Sequence, residues 1–502
     1  MNRQTLKRSH WVVTALIVIA IFAVLNFFSY RIFYHWDLTQ NKDFSISAAS
    51  KKTVGNLDDI VNIKVYFSKD LPSSFINLRQ EVGDILNEYA SYSKGKVKVE
   101  FIEPQDDEKT RNDLANLGIP ELQFNVLEKD KYQVVNGYLG MVIQYGDKKE
   151  VIPVIEDTGN IEYQLTLSIK KVTGQVKARI GFLSGEGAET ESDIQTAYQA
   201  LEKIYPVSQV DLSSAGSVPQ DIDTLIIAGP QDKFGDKELK AIDAFLQRGG
   251  SVLAMVDGVK VGQGLIAQNN DTGLGKLLDS YGIKLNNDLV EDVYSGRASF
   301  SQGYITFSTS YPFWPEITKQ GFDQDNPAVA KLESLVLPWV SSLEVDRSKL
   351  AGDRVSYLAK TTERAWRQTK DFNLDPEKAF AGGKEGQFDL ALSASGRFKS
   401  PYGQASAAPG RLIVVGDSDF LRDNFLKQYP DNLLFFQNLV DSLGLDQDLI
   451  NIRSKGVTER PLREISDKAR VAFKYGNILG VTLIVLAFGL SRYFLRRRKS
   501  DL

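Results

Sequence analysis

The chain predicts an α/β protein made of two transmembrane helices flanking two α/β bodies. Three observations lead there: an uncharged apolar run near each end, an opening body whose strands and helices run βαβαββα, and a longer body of near-continuous apolar strands separated by amphipathic helices. Its 502 residues allow roughly two to four domains. Lys+Arg number 60 against 64 Asp+Glu, so no basic excess points to nucleic acid. The absence of cysteine excludes disulfide scaffolds, thiolate metal sites and cysteine nucleophiles. Only His10 and His35 are present, both beside the first apolar run, so a Ser-His-Asp triad or a histidine metal site in the body is excluded as well.

Residues 1–10 read as a cytoplasmic N-terminus and 11–34 as the first transmembrane helix. Trp11–Phe28 carries no charge, and at 1.5 Å per residue it extends about 27 Å, close to a bilayer's hydrocarbon core. Tyr30, Phe33, Tyr34 and Trp36 follow as an interfacial aromatic cluster. A cleaved signal peptide is the competing reading, but the run is long for one and no small-x-small cleavage site follows. The second helix is placed at 475–495, ahead of a basic tail at 496–502 that contains RRRK. Positive charge outside both runs orients both termini to the cytoplasm, with the main body extracytoplasmic and membrane lipid as one partner. Residues 453–474 form the juxtamembrane linker.

The first body spans 36–174. IVNIKVYF alternates as a strand, and Ser73–Ser93 sets Phe75, Leu78, Val82, Ile85 and Tyr89 at helical spacing. KVKVEFIEP is a second strand, and DDEKTRNDLANLG is an acid-led helix closed by glycine. LQFNVLEKD and KYQVVNGYLGMVIQYG read as two paired strands, the second running on into KKEVIPVI, before a helix over 160–171. This order is that of a thioredoxin-like domain, and Pro120 falls where that fold carries a structural cis-proline. The loop SKDLPSSF after the first strand has no cysteine, so redox chemistry is not expected.

The second body spans 177–452, with an insertion at about 259–410. ARIGFL, PVSQVDL, DTLIIAGP, SVLAMVDG and RLIVVGDSDF read as strands of a parallel sheet covered on both faces. Ligands of such sheets sit beyond the strands' carboxyl ends, which singles out the loops at 184–189, 229–232 and 416–420. The first offers Gly185, Glu186, Gly187 and Glu189. It resembles an anion loop but carries acids that repel phosphate, so a tight turn is the other reading. The last offers Asp417, Ser418 and Asp419, with Asp423 downstream. These could hold a divalent cation, or Ser418 or Asp419 could cap the following helix. In the insertion, Tyr311, Phe313 and Trp314 form either a partner-facing patch or buried packing. No pair of acids is marked as catalytic, and no metal or cofactor is expected.

WDLTQNKDFSIS, VYFSKDLP, GYLGMVIQYGDKKEVIP, IEYQLTLSIKKVTG, IGFLSGEGAE, IIAGP, AIDAFLQRGGSVLAMVDG, RLIVVGDSDFL and NLLFFQNLVDSLGLDQDLINIRSK, in this order, resemble the GldG-like, gliding-motility-associated family of auxiliary components of bacterial ABC-type transport systems. The resemblance implies a membrane-anchored, extracytoplasmic, non-catalytic subunit that works with a separate ABC permease and ATPase and could contact the transported substrate. It also implies that the second body is of a type shared with an intraflagellar-transport protein and similar to the class I glutamine-amidotransferase (flavodoxin-like) sheet. Relatives often carry histidine in the glycine loop where this chain has Glu186, so a histidine-dependent role there does not transfer. The chain has no GxxxxGK[ST] loop, so ATP hydrolysis is assigned to another polypeptide. An envelope scaffold, or a carboxylate- or metal-dependent hydrolase on the second body, are the alternatives.

Overall fold

The computed structural model describes residues 45–69, 71–128, 131–302, 305–350, 354–375 and 385–444, together with Ile21, Leu449, Ile452 and Gly489. A short helix not foreseen from the sequence, α1 (Ala48–Gly55), comes first, with the Ser47 side chain accepting from the Ser50 N–H. After it run β1 (Val61–Phe67), α2 (Ser73–Tyr92), β2 (Val97–Ile102), α3 (Glu108–Leu117), β3 (Leu122–Glu128), β4 (Lys131–Gly137), β5 (Leu139–Tyr145), β6 (Lys148–Ile152) and α4 (Ile161–Val172). Asp107 caps α3 through the Thr110 N–H, and Gly118 closes it in the left-handed region, so the acid-led, glycine-ended reading of this helix holds.

A four-stranded sheet has the order β2-β1-β5-β6, with β1 parallel to β2 and antiparallel to β5. The single long strand expected over 131–145 is instead two. The chain leaves the β3–β4 ladder at Tyr138, whose N–H donates to Ser68 Oγ at 3.0 Å. That switch moves Leu139–Tyr145 from β3 to the edge of β1. A Cβ on Gly140 would lie 2.6 Å from Ile119 Cγ2, so the turn of chain into β5 tolerates no side chain there. All described peptide bonds are trans, including Ile119–Pro120, whose isomer the sequence left open.

The second body opens with β7 (Ile180–Ser184), α5 (Gln195–Glu202), β8 (Val207–Asp211), α6 (Leu212–Ala215), β9 (Thr224–Ala228), α7 (Asp236–Gln247) and β10 (Ser251–Met255). The insertion follows as β11 (Val259–Gly262), β12 (Ile266–Asn269), α8 (Leu274–Ser280), β13 (Ile283–Leu285), β14 (Leu289–Asp292), β15 (Ser295–Gln302), β16 (Ile305–Thr318), β17 (Ser334–Val336), β18 (Leu343–Val345), β19 (Arg354–Lys360), β20 (Ala365–Gln368) and β21 (Asp389–Gly396). It returns to β22 (Gly410–Val415), and α9 (Asp423–Gln428) and α10 (Asp431–Gly444) end the body.

The main sheet runs β13-β18-β21-β22-β10-β9-β7-β8, with β19 beside β21. From β8 to β22 the neighbours are parallel. Successive residues of these strands point to opposite sides, and all of β9 and β10 and most of β7 and β22 are buried, while edge strand β8 buries only Val210. Phe182, Ile226, Leu253, Met255, Ile413 and Val415 pack on one face with α5 and α10, and Leu225, Ile227, Val252, Ala254, Leu412 and Val414 pack on the other with α7 and α8. The insertion is more regular than its composition suggested. It extends this sheet with antiparallel β13, β18, β19 and β21. Tyr311 and Phe313 are fully buried beside Leu289 and Leu374, so these two belong to a core and form no partner-facing patch.

The expectation of two transmembrane helices is overturned: no described helix is long and apolar enough to cross a membrane. The longest of them, α2, has 20 residues, but it contains Arg79, Glu81, Asp84 and Glu88, which hydrocarbon would desolvate at high cost. Segments 11–34 and 475–495 lie outside the described residues apart from Ile21 and Gly489. The described residues accordingly form a mixed α/β protein, and none of their helices is a membrane span. The two-pass cytoplasmic-membrane location, with both termini cytoplasmic, is withdrawn with the two-helix expectation.

Candidate functional site

The parallel register decides where the acids meet. Ser251 pairs with Arg411 and Met255 with Val415, so Asp257 and Asp417, each two residues past its strand, leave β10 and β22 side by side. Asp419 joins them from a short 3₁₀ turn at 419–421. One oxygen of each of these three carboxylates lies within 4.8 Å of the others. Asp417 is fully buried and Asp419 is 9% exposed.

The local hydrogen bonds set this triad rigidly. The Ser418 N–H donates to Asp257 Oδ1 at 2.9 Å and the Ser418 hydroxyl to Asp257 Oδ2 at 2.6 Å. The Asp419 N–H donates to Asp417 Oδ1 at 2.8 Å. Asp417 Oδ2 is buried with no hydrogen-bond partner. The helix-capping reading of Ser418 and Asp419 therefore fails: neither side chain caps the turn or α9, whose N-cap is Arg422. Asp423 also stands outside the triad, accepting from the Thr196 N–H at 3.0 Å.

One guanidinium serves the cluster. Arg422 donates from Nε and Nη2 to Glu189 Oε1 at 3.0 and 2.7 Å, and its Nη1 lies 2.9 Å from Asp419 Oδ1. Burial pushes the Asp257 carboxyl up to about 6, opposed by the Ser418 hydrogen bonds. Burial, reinforced by the Asp257 charge, pushes Asp419 up to about 7 against the pull of Arg422. Asp417 is raised well above the ordinary range by burial and by both neighbouring acids. The Arg422 guanidinium is raised by the surrounding acids in spite of its own burial.

The glycine loop divides between two places. Gly185 and Gly187 both have positive φ, and the Glu186 carbonyl accepts from the Gln231 and Asp232 N–H groups, so residues 185–188 make the tight turn. The Glu186 side chain is raised by burial and then by Glu238, Asp211 and Asp232, a wholly acidic surrounding that disfavours phosphate. Glu189 alone of this loop reaches the triad, through Arg422. The loop after β9 closes on the same place. A Cβ on Gly229 would stand 2.6 Å from Ser418 Oγ and 3.0 Å from Glu189 Cγ, and Asn270 Nδ2 ties the Pro230 and Asp257 carbonyls together.

The hairpin of β11 and β12 stands over the triad and encloses a cavity of about 300 Å³. Asp257, Ser418, Asp419 and Arg422 line its inner wall, and Gln231, Lys260 and Gln268 are among its other walls. The donor set is oxygen-only and hard, suited to Ca²⁺, Mg²⁺ or Mn²⁺ rather than to softer metals. Asp257 and Arg422 were missed in the sequence. A signal for Asp257 was present: it is the seventh residue of SVLAMVD, as Asp417 is of RLIVVGD.

Residues 177–443, which contain every residue of this triad and its surroundings, match the family model described as an ABC-type uncharacterized transport system. The chain belongs to that family. Its members are auxiliary components of ABC-type transport systems. Residues 40–144 match a domain of unknown function, DUF7088. A protein of Borreliella burgdorferi, described as uncharacterized, is 26% identical over 506 residues, covering 97% of each chain. A solved structure of the mmIFT52 N-terminal domain overlaps 53% of this family member and 98% of that chain, at 17% identity and a TM-score of 0.36.

Proposed function

We propose that this chain is a non-catalytic auxiliary subunit of an ABC-type transport system, working beside a separate ATPase and a separate permease and contacting the transported substrate through the triad face. The family match over 177–443 carries this reading, because it coincides with the body whose strand ends build the site. The lack of a GxxxxGK[ST] phosphate loop supports assigning ATP hydrolysis to another subunit. The cavity supports substrate contact: it is open, polar, and framed by groups fixed on rigid strand ends. The likeness to GldG-like proteins belongs to this proposal as its narrower form.

Affinity purification of the tagged full-length chain from its own cells tests it. Recovery of an ABC ATPase and a multispan permease in fixed stoichiometry is the expected outcome. The reading is refuted if the ATPase and permease purify with one another and leave this chain behind.

A further inference from the structure

We propose that Asp257, Asp417 and Asp419 bind one divalent cation, with Ca²⁺ as the best-fitting ion, at the base of the cavity under the β11–β12 hairpin. The proposal is independent of the transport role.

Three features of the molecule argue for it together. The first is convergence: one oxygen from each acid falls within 4.8 Å of the other two, no farther apart than two ligands of one Ca²⁺ with bonds of about 2.4 Å can lie. The second is the state of Asp417. Its Oδ1 accepts from the Asp419 N–H, while Oδ2 is sealed from solvent and bonded to nothing. A buried carboxylate oxygen without a partner is costly to keep, and a cation held between the acids supplies the missing partner. The third is charge. Asp257, Asp417, Asp419 and Glu189 gather around the Arg422 guanidinium, which is already committed to Glu189 and Asp419, so four acids stand against that group and Lys260 of the cavity wall. The Ser418 and Asp419 N–H groups donate to Asp257 and Asp417 and fix the orientation of the two carboxylates, as outer-shell donors do at metal sites. Asp257 and Asp419 face the cavity, so the ion has an entry path and room for water ligands. The opposing explanation is a proton shared within the triad, a purely structural arrangement that needs no ion.

The experiment uses the full chain, stripped with EDTA and titrated with Ca²⁺, Mg²⁺ and Mn²⁺ separately. Binding is read by calorimetry, by the Mn²⁺ electron-spin signal and by melting temperature. Saturable one-to-one Ca²⁺ binding, with a dissociation constant in roughly the 10⁻⁶–10⁻³ M range and a raised melting temperature, is expected. Asp417→Asn should weaken binding by at least about tenfold, and Asp423→Asn, outside the triad, should leave it unchanged. If Asp417→Asn does not fold, Asp419→Asn serves the same purpose. Two results overturn the proposal. One is the absence of saturable binding and of a melting shift up to about 10 mM of all three ions. The other is binding that survives both triad substitutions, which would place the ion elsewhere.

Discussion

Gly229→Ala probes the packing of the site more sharply than removing any of its acids. Gly229 has φ of +56°, so an alanine there carries about 1 kcal/mol of left-handed strain. Its Cβ would also stand 2.6 Å from Ser418 Oγ and 3.1 Å from Ser418 Cβ, so Ser418 must move. Ser418 holds Asp257 through bonds of 2.9 and 2.6 Å, and a hydrogen bond to a charged group is worth about 1.5–3 kcal/mol. Losing one of them as well puts the total at about 2.5–4 kcal/mol. Gly216→Ala is the matched control: its φ is +65° and a Cβ there meets nothing within 4 Å, so only the strain of about 1 kcal/mol remains. Urea unfolding followed by circular dichroism gives both numbers as midpoint shifts at constant slope. Equal losses for the two variants, within about 0.5 kcal/mol, would refute the reasoning, because Ser418 would then yield without consequence.

Arg422→Ala should destabilise by about 2–4 kcal/mol, since it strands Glu189 and Asp419 without their guanidinium, and Glu189 is almost wholly buried. Denaturant titration checks this, and a loss below about 0.5 kcal/mol contradicts it. Tyr205→Phe should cost about 1.5–3 kcal/mol by removing the hydroxyl that donates to buried Asp441 at 2.6 Å, as measured by thermal unfolding; a neutral variant contradicts it. Burial raises the Asp288 carboxyl above the ordinary aspartate value, with the Ser342 bonds and Arg367 opposing, and Glu344 shares that arginine. The folded state therefore holds this proton more tightly than the unfolded chain. Its contribution is fully present below about pH 3.8 and declines as pH rises through the folded value. Measured across that window, stability of the parent relative to Asp288→Asn should fall with rising pH, and a difference that grows with pH would show the sign to be wrong.

The local elements of the second body were legible because burial on both faces writes itself into composition. TLIIA, SVLAM and RLIVV are short, β-branched apolar runs of the kind that inner strands use, and the acid-led DKELKAIDAFLQRGG has a helical stripe and a glycine stop. The insertion was less legible: its edge strands are short and antiparallel, with mixed faces, and read as irregular. Asp417, Ser418 and Asp419 were visible at a strand end, yet the choice between ligand and cap was not. Capping is a local matter, and the partner that takes the Ser418 hydroxyl away from it, Asp257, lies 161 residues away. The two apolar terminal runs lie outside the described residues apart from Ile21 and Gly489, and no described helix is long and apolar enough to cross a membrane.

What this chain's sequence determined by itself is the alternation of strand and helix, the parallel middle of the main sheet and the loops at its carboxyl edge, because periodicity and breakers act over a few neighbouring residues. What only the tertiary structure decided is the β10–β22 register, which sets Asp257 beside Asp417, brings Arg422 to Glu189, and closes the β11–β12 hairpin over them. Pairing between strands more than 150 residues apart depends on the whole packed core, and no short stretch of sequence carries that information.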